Sequence, residues 1–403
     1  MNNERISWIH GLKGLACLLV FFHHFFLTFY RATYTGDLAD SRTLSGIDAT
    51  FGYRPYGLIL NGNFAVCLFL IISAFLFAGK IMKQKKQTFE IDFFHICAKR
   101  YLQLMLHVAF IGIGLYLIKH ILTFCMQDIS AFPFQLTCKE LLLEILFFQW
   151  ITPSGRILGV LWTMKFFLLG AFLAAFLGTW SSKKRWYMPI IYFIVSYPLE
   201  FLSEYNFTVV LGVILADLYH FDRIEQYLTF LKEHKIDLTF FRQKKWRNFF
   251  GSILLIIGLL IGSYPSYSEP TNLLYGLLMR IFGKIFPLTY MSAIHGFGVF
   301  TVMCGLFILT NHPILSSRWF ESLGNISMGI YLLHGVIIAI LNLGVFPMIF
   351  GRIENYHLAV LVIFVLVTVL TIIFAWLYRL YIEKGISRIT KKLLTSKKPP
   401  HQN

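Results

Sequence analysis

Long apolar runs alternate along this chain with short polar blocks. A hydrocarbon core of roughly 30 Å takes about 20 apolar residues per helix. Ten stretches answer to that length, at approximately 9–30, 57–79, 101–124, 160–180, 186–202, 207–220, 249–265, 288–310, 323–343 and 358–381. Two further apolar pieces, LLLEILFFQW (141–150) and LLYGLLMRIFGKIF (273–286), are too short to span and read as interfacial or re-entrant segments on the outer side. The pattern predicts an all-α polytopic integral membrane protein of about ten transmembrane helices. Its membrane domain covers residues 1–382, and residues 383–403 form a short basic tail.

Composition agrees with that reading and narrows it. The 403 residues are 57% hydrophobic and 14% charged, and Phe (42) outnumbers Lys plus Arg (36). Soluble chains carry roughly 25% charge, so most apolar surface here must face lipid. A formal net charge of +16 would suit a nucleic-acid partner only if it formed a basic face on a soluble domain. Instead the cations fall in blocks between the apolar runs: Lys80 to Arg100, Lys183 to Arg185, Arg223 to Arg247, and Lys384 to Lys398. With ten alternating helices these blocks share one side, whereas loop 31–56 balances Arg31, Arg42 and Arg54 against Asp37, Asp40 and Asp48. Positive loops stay cytoplasmic, so both termini are expected there, in a multi-pass protein of the cell membrane.

The six cysteines show no CxxC spacing and suggest no metal site. Only Cys125 and Cys138 could share an outer loop and pair. The opening MNNER and apolar stretch resemble a signal peptide, but Lys13, His23 and His24 interrupt it and no small-residue cleavage site follows. It reads as a retained first helix. No internal repeat of the kind many transporters carry is visible.

Ionisable side chains inside spans cost roughly 2.5–3.5 kcal/mol on insertion scales and are therefore functional candidates. On the first helix His10, Lys13, Cys17 and His24 fall within about 60° of one another at 100° per residue, with His23 pointing away from that stripe. Lys13 and His24 lie nearly three turns, about 16 Å, apart. On the ninth span Ser327, Tyr331 and His334 share a face. For each histidine the competing role is a hydrogen bond to a neighbouring helix. That role weighs most for His295 and His107. Glu144 and Lys165 read as interfacial, where their charge is cheap, and Asp217 as a topological charge.

Five patches in order resemble the acyltransferase 3 family of membrane acyltransferases. HGLKGLACLLVFFHHF resembles its first helix, in which a cation and a His stand eleven residues apart, as Lys13 and His24 do. GNFAVCLFLIISAFLFAGK is similar to its second helix, with Ser73, Ala74 and Phe75 at a Ser-Gly-Phe position. FFHICAKRYLQL resembles the basic segment, with Lys99 and Arg100 in place. LWTMKFF (161–167) and SLGNISMGIYLLHG resemble two later blocks, the second containing His334. The chain departs from the family pattern at His10, Gln103 and Phe167.

The resemblance implies ten helices and transfer of an acyl group, usually acetyl, from cytoplasmic acetyl-CoA to a hydroxyl of a surface polysaccharide or lipid-linked glycan. Acetyl-CoA would act as a substrate, with no permanently bound cofactor and no nucleic-acid partner. It also implies catalytic roles for His24, Lys13 and His334, and donor binding by Lys99, Arg100 and Ser73. A neutral His is suited to take a sugar hydroxyl's proton near neutral pH, or to carry the acyl group itself. Two other classes stay open on the sequence: a transporter or flippase of a lipid-linked saccharide, and a membrane protein without chemistry.

Overall fold

The computed structural model describes residues 7–53, 55–86, 93–125, 134–152, 155–181, 184–199, 201–266 and 272–395. It is helical, with no strand among the described residues. In chain order the α-helices of six residues or more are α1 (Ser7–Phe29), α2 (Gly62–Lys86), α3 (Phe93–Cys125), α4 (Cys138–Leu143), α5 (Met164–Trp180), α6 (Met188–Leu199), α7 (Asn206–His220) and α8 (Arg223–Glu233). There follow α9 (Lys244–Gly262), α10 (Leu273–Ile285), α11 (Tyr290–Ile308), α12 (Arg318–Asn325), α13 (Ser327–Gly344), α14 (Phe346–Ile353), α15 (Tyr356–Tyr378) and α16 (Lys384–Thr395).

Eight helical stretches are long and apolar enough to cross a bilayer, as expected of a polytopic membrane protein. The expected spans at 186–202 and 207–220 are the shorter helices α6 and α7, of 12 and 15 residues. At 1.5 Å per residue these reach roughly 18 and 23 Å, less than the hydrocarbon thickness. Burial accounts for α7: twelve of its residues, from Asn206 to Asp217, are buried. The segment 273–286 forms α10, whose Tyr275 and Leu278 are buried in a cluster with Ile261, Tyr264 and Ile294. Residues 384–395 of the expected tail are helical, as α16.

The chain forms two compact units. The first comprises residues 1–91 and 169–324, the second residues 92–168 and 325–403. In the first unit α2 is the central element, 72% of its most apolar stretch being buried, and α1, α7 and α11 pack on it. By contrast α9 is 17% buried and turns most of its surface to lipid. It is held to α11 by close backbone contact: a methyl group at Gly258 would fall 2.6 Å from Val302 N, and one at Gly305 would fall 2.7 Å from Gly251 O. Small residues at a helix interface let backbones approach where lipid supplies no hydrophobic drive. In the second unit α13 packs on α15, and α3 on α16.

Candidate active site

At the end of α1 expected to face outward, His23 and His24 stand edge to face, with ring centroids 4.9 Å apart. His24 is partly buried, and its Nδ1 lies 3.0 Å from the carbonyl oxygen of Val20, one turn back. A carbonyl only accepts, so Nδ1 carries the proton of the neutral ring and Nε2 carries the lone pair. That is the tautomer a base requires.

His23 was placed by sequence off the polar stripe, and the structure shows what it meets there. It is 9% exposed and donates from Nδ1 to Leu60 O at 2.7 Å. Its ring abuts Gly62, where a Cβ would fall 2.6 Å from Cδ2, and Tyr34 lies edge-on at 4.8 Å. Tyr34 and Leu60 also line a cleft of about 20 Å³ with Asn61 and Ser266, about the room one water needs.

The loop that lends Phe51 and Gly52 to this cleft is tied by Asp48. Its carboxylate accepts from the hydroxyls of Ser41 (2.5 Å) and Thr43 (2.7 Å) and from the backbone N–H groups of Arg42 (2.8 Å) and Ala49 (3.1 Å). Burial pushes the Asp48 pKa up, but these four donors outweigh it and hold the carboxyl below the usual aspartate range.

The start of α2 is fixed from a second direction. Asn61 caps the helix, accepting from Phe64 N at 3.1 Å. Its amide donates to Tyr264 O at 2.9 Å. His295, fully buried on α11, donates from Nε2 to the same carbonyl at 2.8 Å and accepts at Nδ1 from Asn63 Nδ2 at 2.7 Å. Tyr205 in turn donates to Asn63 Oδ1 at 2.5 Å. Both nitrogens of His295 are thus committed to structure, as the sequence reading favoured. The network anchors Asn61, Gly62 and Asn63, and Gly62 is the surface against which His23 rests.

Lys13 lies on the same helix, about 16 Å below His24 by helical rise, and is partly buried. Beside it Gly14 packs on α12, where a methyl would fall 2.8 Å from Gly324 N and 2.9 Å from Phe320 O. Ser73, partly buried, is eleven residues along α2 from Gly62. Because His23 meets Gly62, counting down both helices brings Ser73 and Lys13 to the same depth. The first unit therefore holds His24 toward one end of α1 and Lys13 and Ser73 at a common depth below it.

The other three predicted residues belong to the second unit. Lys99 and Arg100 are partly buried in the first turns of α3. His334 is fully buried on α13, and its Nδ1 lies 2.9 Å from Ile330 O, the back-bonded geometry of His24 again. Tyr331 beside it donates to Val160 O at 3.0 Å and meets the Thr163 hydroxyl at 2.5 Å. His107 bonds the Tyr378 hydroxyl, which fits a structural role.

Three acidic or cysteine readings change. Glu144 does not snorkel to water: it is 1% exposed and accepts from Arg156 at 3.1 Å. Asp217 is more than topological, since it and Arg223 are both fully buried at 2.6 Å and Ser181 donates to the same carboxylate. Cys138 is a free exposed thiol, and the Cys125 side chain lies outside the described residues. Among the described residues no group of three or more His, Cys, Asp or Glu is placed to hold a metal.

Sequence reasoning missed His23 and the Asn61–Asn63–His295 network. The adjacent Gly62, beside two Asn in an otherwise apolar run, was the available signal.

A family model described as an acyltransferase domain, acyltransferase 3, matches residues 6–380. The chain belongs to that family and is a multi-pass membrane acyltransferase. Comparison with curated proteins and with solved structures gives no match.

Proposed function

We propose that this acyltransferase moves an acetyl group from cytoplasmic acetyl-CoA to a hydroxyl of an extracytoplasmic glycan at the cell membrane, with His24 as the base. The observation that supports it most is the His24 Nδ1 to Val20 O contact, which leaves the lone pair on Nε2. In the step, Nε2 takes the sugar hydroxyl's proton as the oxygen attacks the thioester carbonyl. The C–S bond breaks, and the imidazolium returns the proton to the departing thiolate. Lys13, about 16 Å below His24, attracts the phosphates of the donor as a point charge. Lys99 and Arg100 hold CoA phosphates as point charge and fork respectively, Ser73 contributes a hydroxyl at the depth of Lys13, and His334, a fully buried imidazole, serves as a positioning residue.

The test is label transfer in proteoliposomes. Wild-type protein given acetyl-labelled acetyl-CoA and a polysaccharide acceptor should label the glycan, and His24→Ala, correctly inserted, should not. A fully active His24→Ala enzyme would overturn the assignment. Proton NMR of surface glycan from deletion and complemented strains identifies the acceptor: acetyl signals should vanish while the polymer persists.

A further inference from the structure

In the second unit α3, α13 and α15 leave between them a cavity of about 370 Å³, within the roughly 300–1,000 Å³ range of ligand sites. Phe110, Gly114, Ile118, Leu333, Val336 and Phe374 line it, and all six are apolar. A Cβ built on Gly114 meets nothing within 4 Å. Phe110 and Phe374 are at the same time exposed, on helices long and apolar enough to span. The cavity therefore opens sideways, toward hydrocarbon, and its occupant must be an apolar chain arriving from the bilayer.

The end of this cavity nearer the expected cytoplasmic side has different chemistry. Tyr378, Tyr381 and Ile382 complete the lining there, and His107 bonds the Tyr378 hydroxyl. A π-turn over Arg379–Glu383 then leads into α16. That helix buries Ile386 and Thr390 and exposes Lys384 and Arg388 together with Ile389 and Leu393. At 100° per residue Lys384, Arg388 and Lys391 fall within about 60°. Cations and exposed apolar side chains on one short helix are the mark of an interfacial segment, and a juxtamembrane cluster of this kind attracts anionic headgroups.

We propose that the second unit holds one anionic phospholipid, an acyl chain in the α3–α13–α15 cavity and the phosphate on the Lys384, Arg388 and Lys391 stripe. What joins the two halves is continuity: Tyr381 lines the cavity, and Lys384 and Arg388 follow it at i+3 and i+7 on the same face of one continuous helix. A zwitterionic lipid would satisfy the cavity but not the stripe, and a soluble phosphate would satisfy the stripe but not the cavity.

Native mass spectrometry of the full chain, released from nanodiscs of equal phosphatidylglycerol and phosphatidylcholine, tests this. One phosphatidylglycerol should be retained in preference to phosphatidylcholine by about tenfold. The double variant Lys384→Gln with Arg388→Gln should bring that ratio near one while keeping an adduct. Gly114→Phe, which fills space already open, should remove the adduct of both lipids with an unchanged thermal unfolding midpoint, and Val336→Phe provides a second filling variant should Gly114→Phe not fold. Equal retention of the two lipids by the wild type, no retained lipid, or an undiminished adduct in a folded filling variant would each overturn the proposal.

Discussion

Each unit contains the same two devices, an imidazole folded back on its own helix and an arginine clamped by carboxylate, but set in different surroundings. In the first unit His24 is partly buried beside a second imidazole, His23, which touches Tyr34 and Leu60 of a water-sized cleft. In the second, His334 has the same Nδ1 contact but is sealed, with no exposed surface. The clamps differ in the opposite sense. Arg223 and Asp217 are wholly buried, whereas Arg156, which joins Glu140 and Glu144, is 47% exposed. The first unit thus combines a partly buried imidazole with a wholly buried ion pair, and the second a sealed imidazole with a half-exposed ion pair.

The sharpest way to break that distinction is to remove each imidazole in turn. General-base catalysis is worth roughly 10²–10⁴ in rate, so His24→Ala should lose transfer by about that factor, or about 3–5 kcal/mol of barrier at 1.36 kcal/mol per decade. His334→Ala should lose about tenfold, since a sealed ring acts on packing and orientation more than on the acceptor's proton. Steady-state transfer in proteoliposomes measures both. Equal losses would erase the contrast between the units.

The clamps come next. Asp217→Asn leaves the Arg223 guanidinium buried without a counter-charge, which costs about 3–5 kcal/mol. Glu144→Gln keeps an acceptor and lets the half-exposed Arg156 turn to water, so about 1 kcal/mol or less is expected. Thermal unfolding in detergent should show a large drop for the first and a small one for the second. If the two shifts match, burial is not what separates the clamps.

Much of the fold was legible, because lipid demands apolar runs of a length set by the bilayer and the chain supplies them. The expected stretches 9–30, 57–79 and 358–381 correspond to α1, α2 and α15. Helical periodicity also placed His23 off the face of Lys13 and His24. What it could not provide was the partner. That His23 rests on Gly62, that His295 uses both nitrogens on Tyr264 and Asn63, and that Asp217 meets Arg223 across a turn all depend on packing, where sequence distance carries little information. The two short helices α6 and α7 show the same limit, for their apolar content is explained by burial in protein as well as by lipid.

Gly62 tests whether the cap positions the base. Gly62→Ala adds a methyl where His23 Cδ2 lies 2.6 Å away, so the ring must shift and its neighbour His24 with it. Displacement of a catalytic group by a fraction of an ångström should lower transfer about tenfold, with KM for the donor unchanged. Smaller His23→Asn should relieve the clash and, in the double variant, recover part of the loss. No recovery would assign the effect to α2 alone.

The smallest expected effect concerns the outer clamp of the second unit, and it is read by pH. Glu140 accepts first from the Thr137 backbone, then from the Thr137 hydroxyl and Arg156, and these donors bring its pKa from an ordinary 4.5 down to about 2. A carboxyl whose folded pKa is depressed stabilises fully above its unfolded value and loses that contribution as pH falls through the folded one. The difference in unfolding midpoint between wild type and Glu140→Gln should therefore hold steady from neutral pH to about 4.5 and shrink toward zero as pH approaches 2. The side chain is 42% exposed, so added salt should shrink the Arg156 share of the difference and leave the Thr137 capping box, whose bonds are local and short. In the first unit Asp217→Asn should respond little to salt, because water and ions do not reach Arg223. A salt response as large there as at Glu140 would mean that the buried clamp is open to solvent, and the contrast between the units would fail at its firmest point.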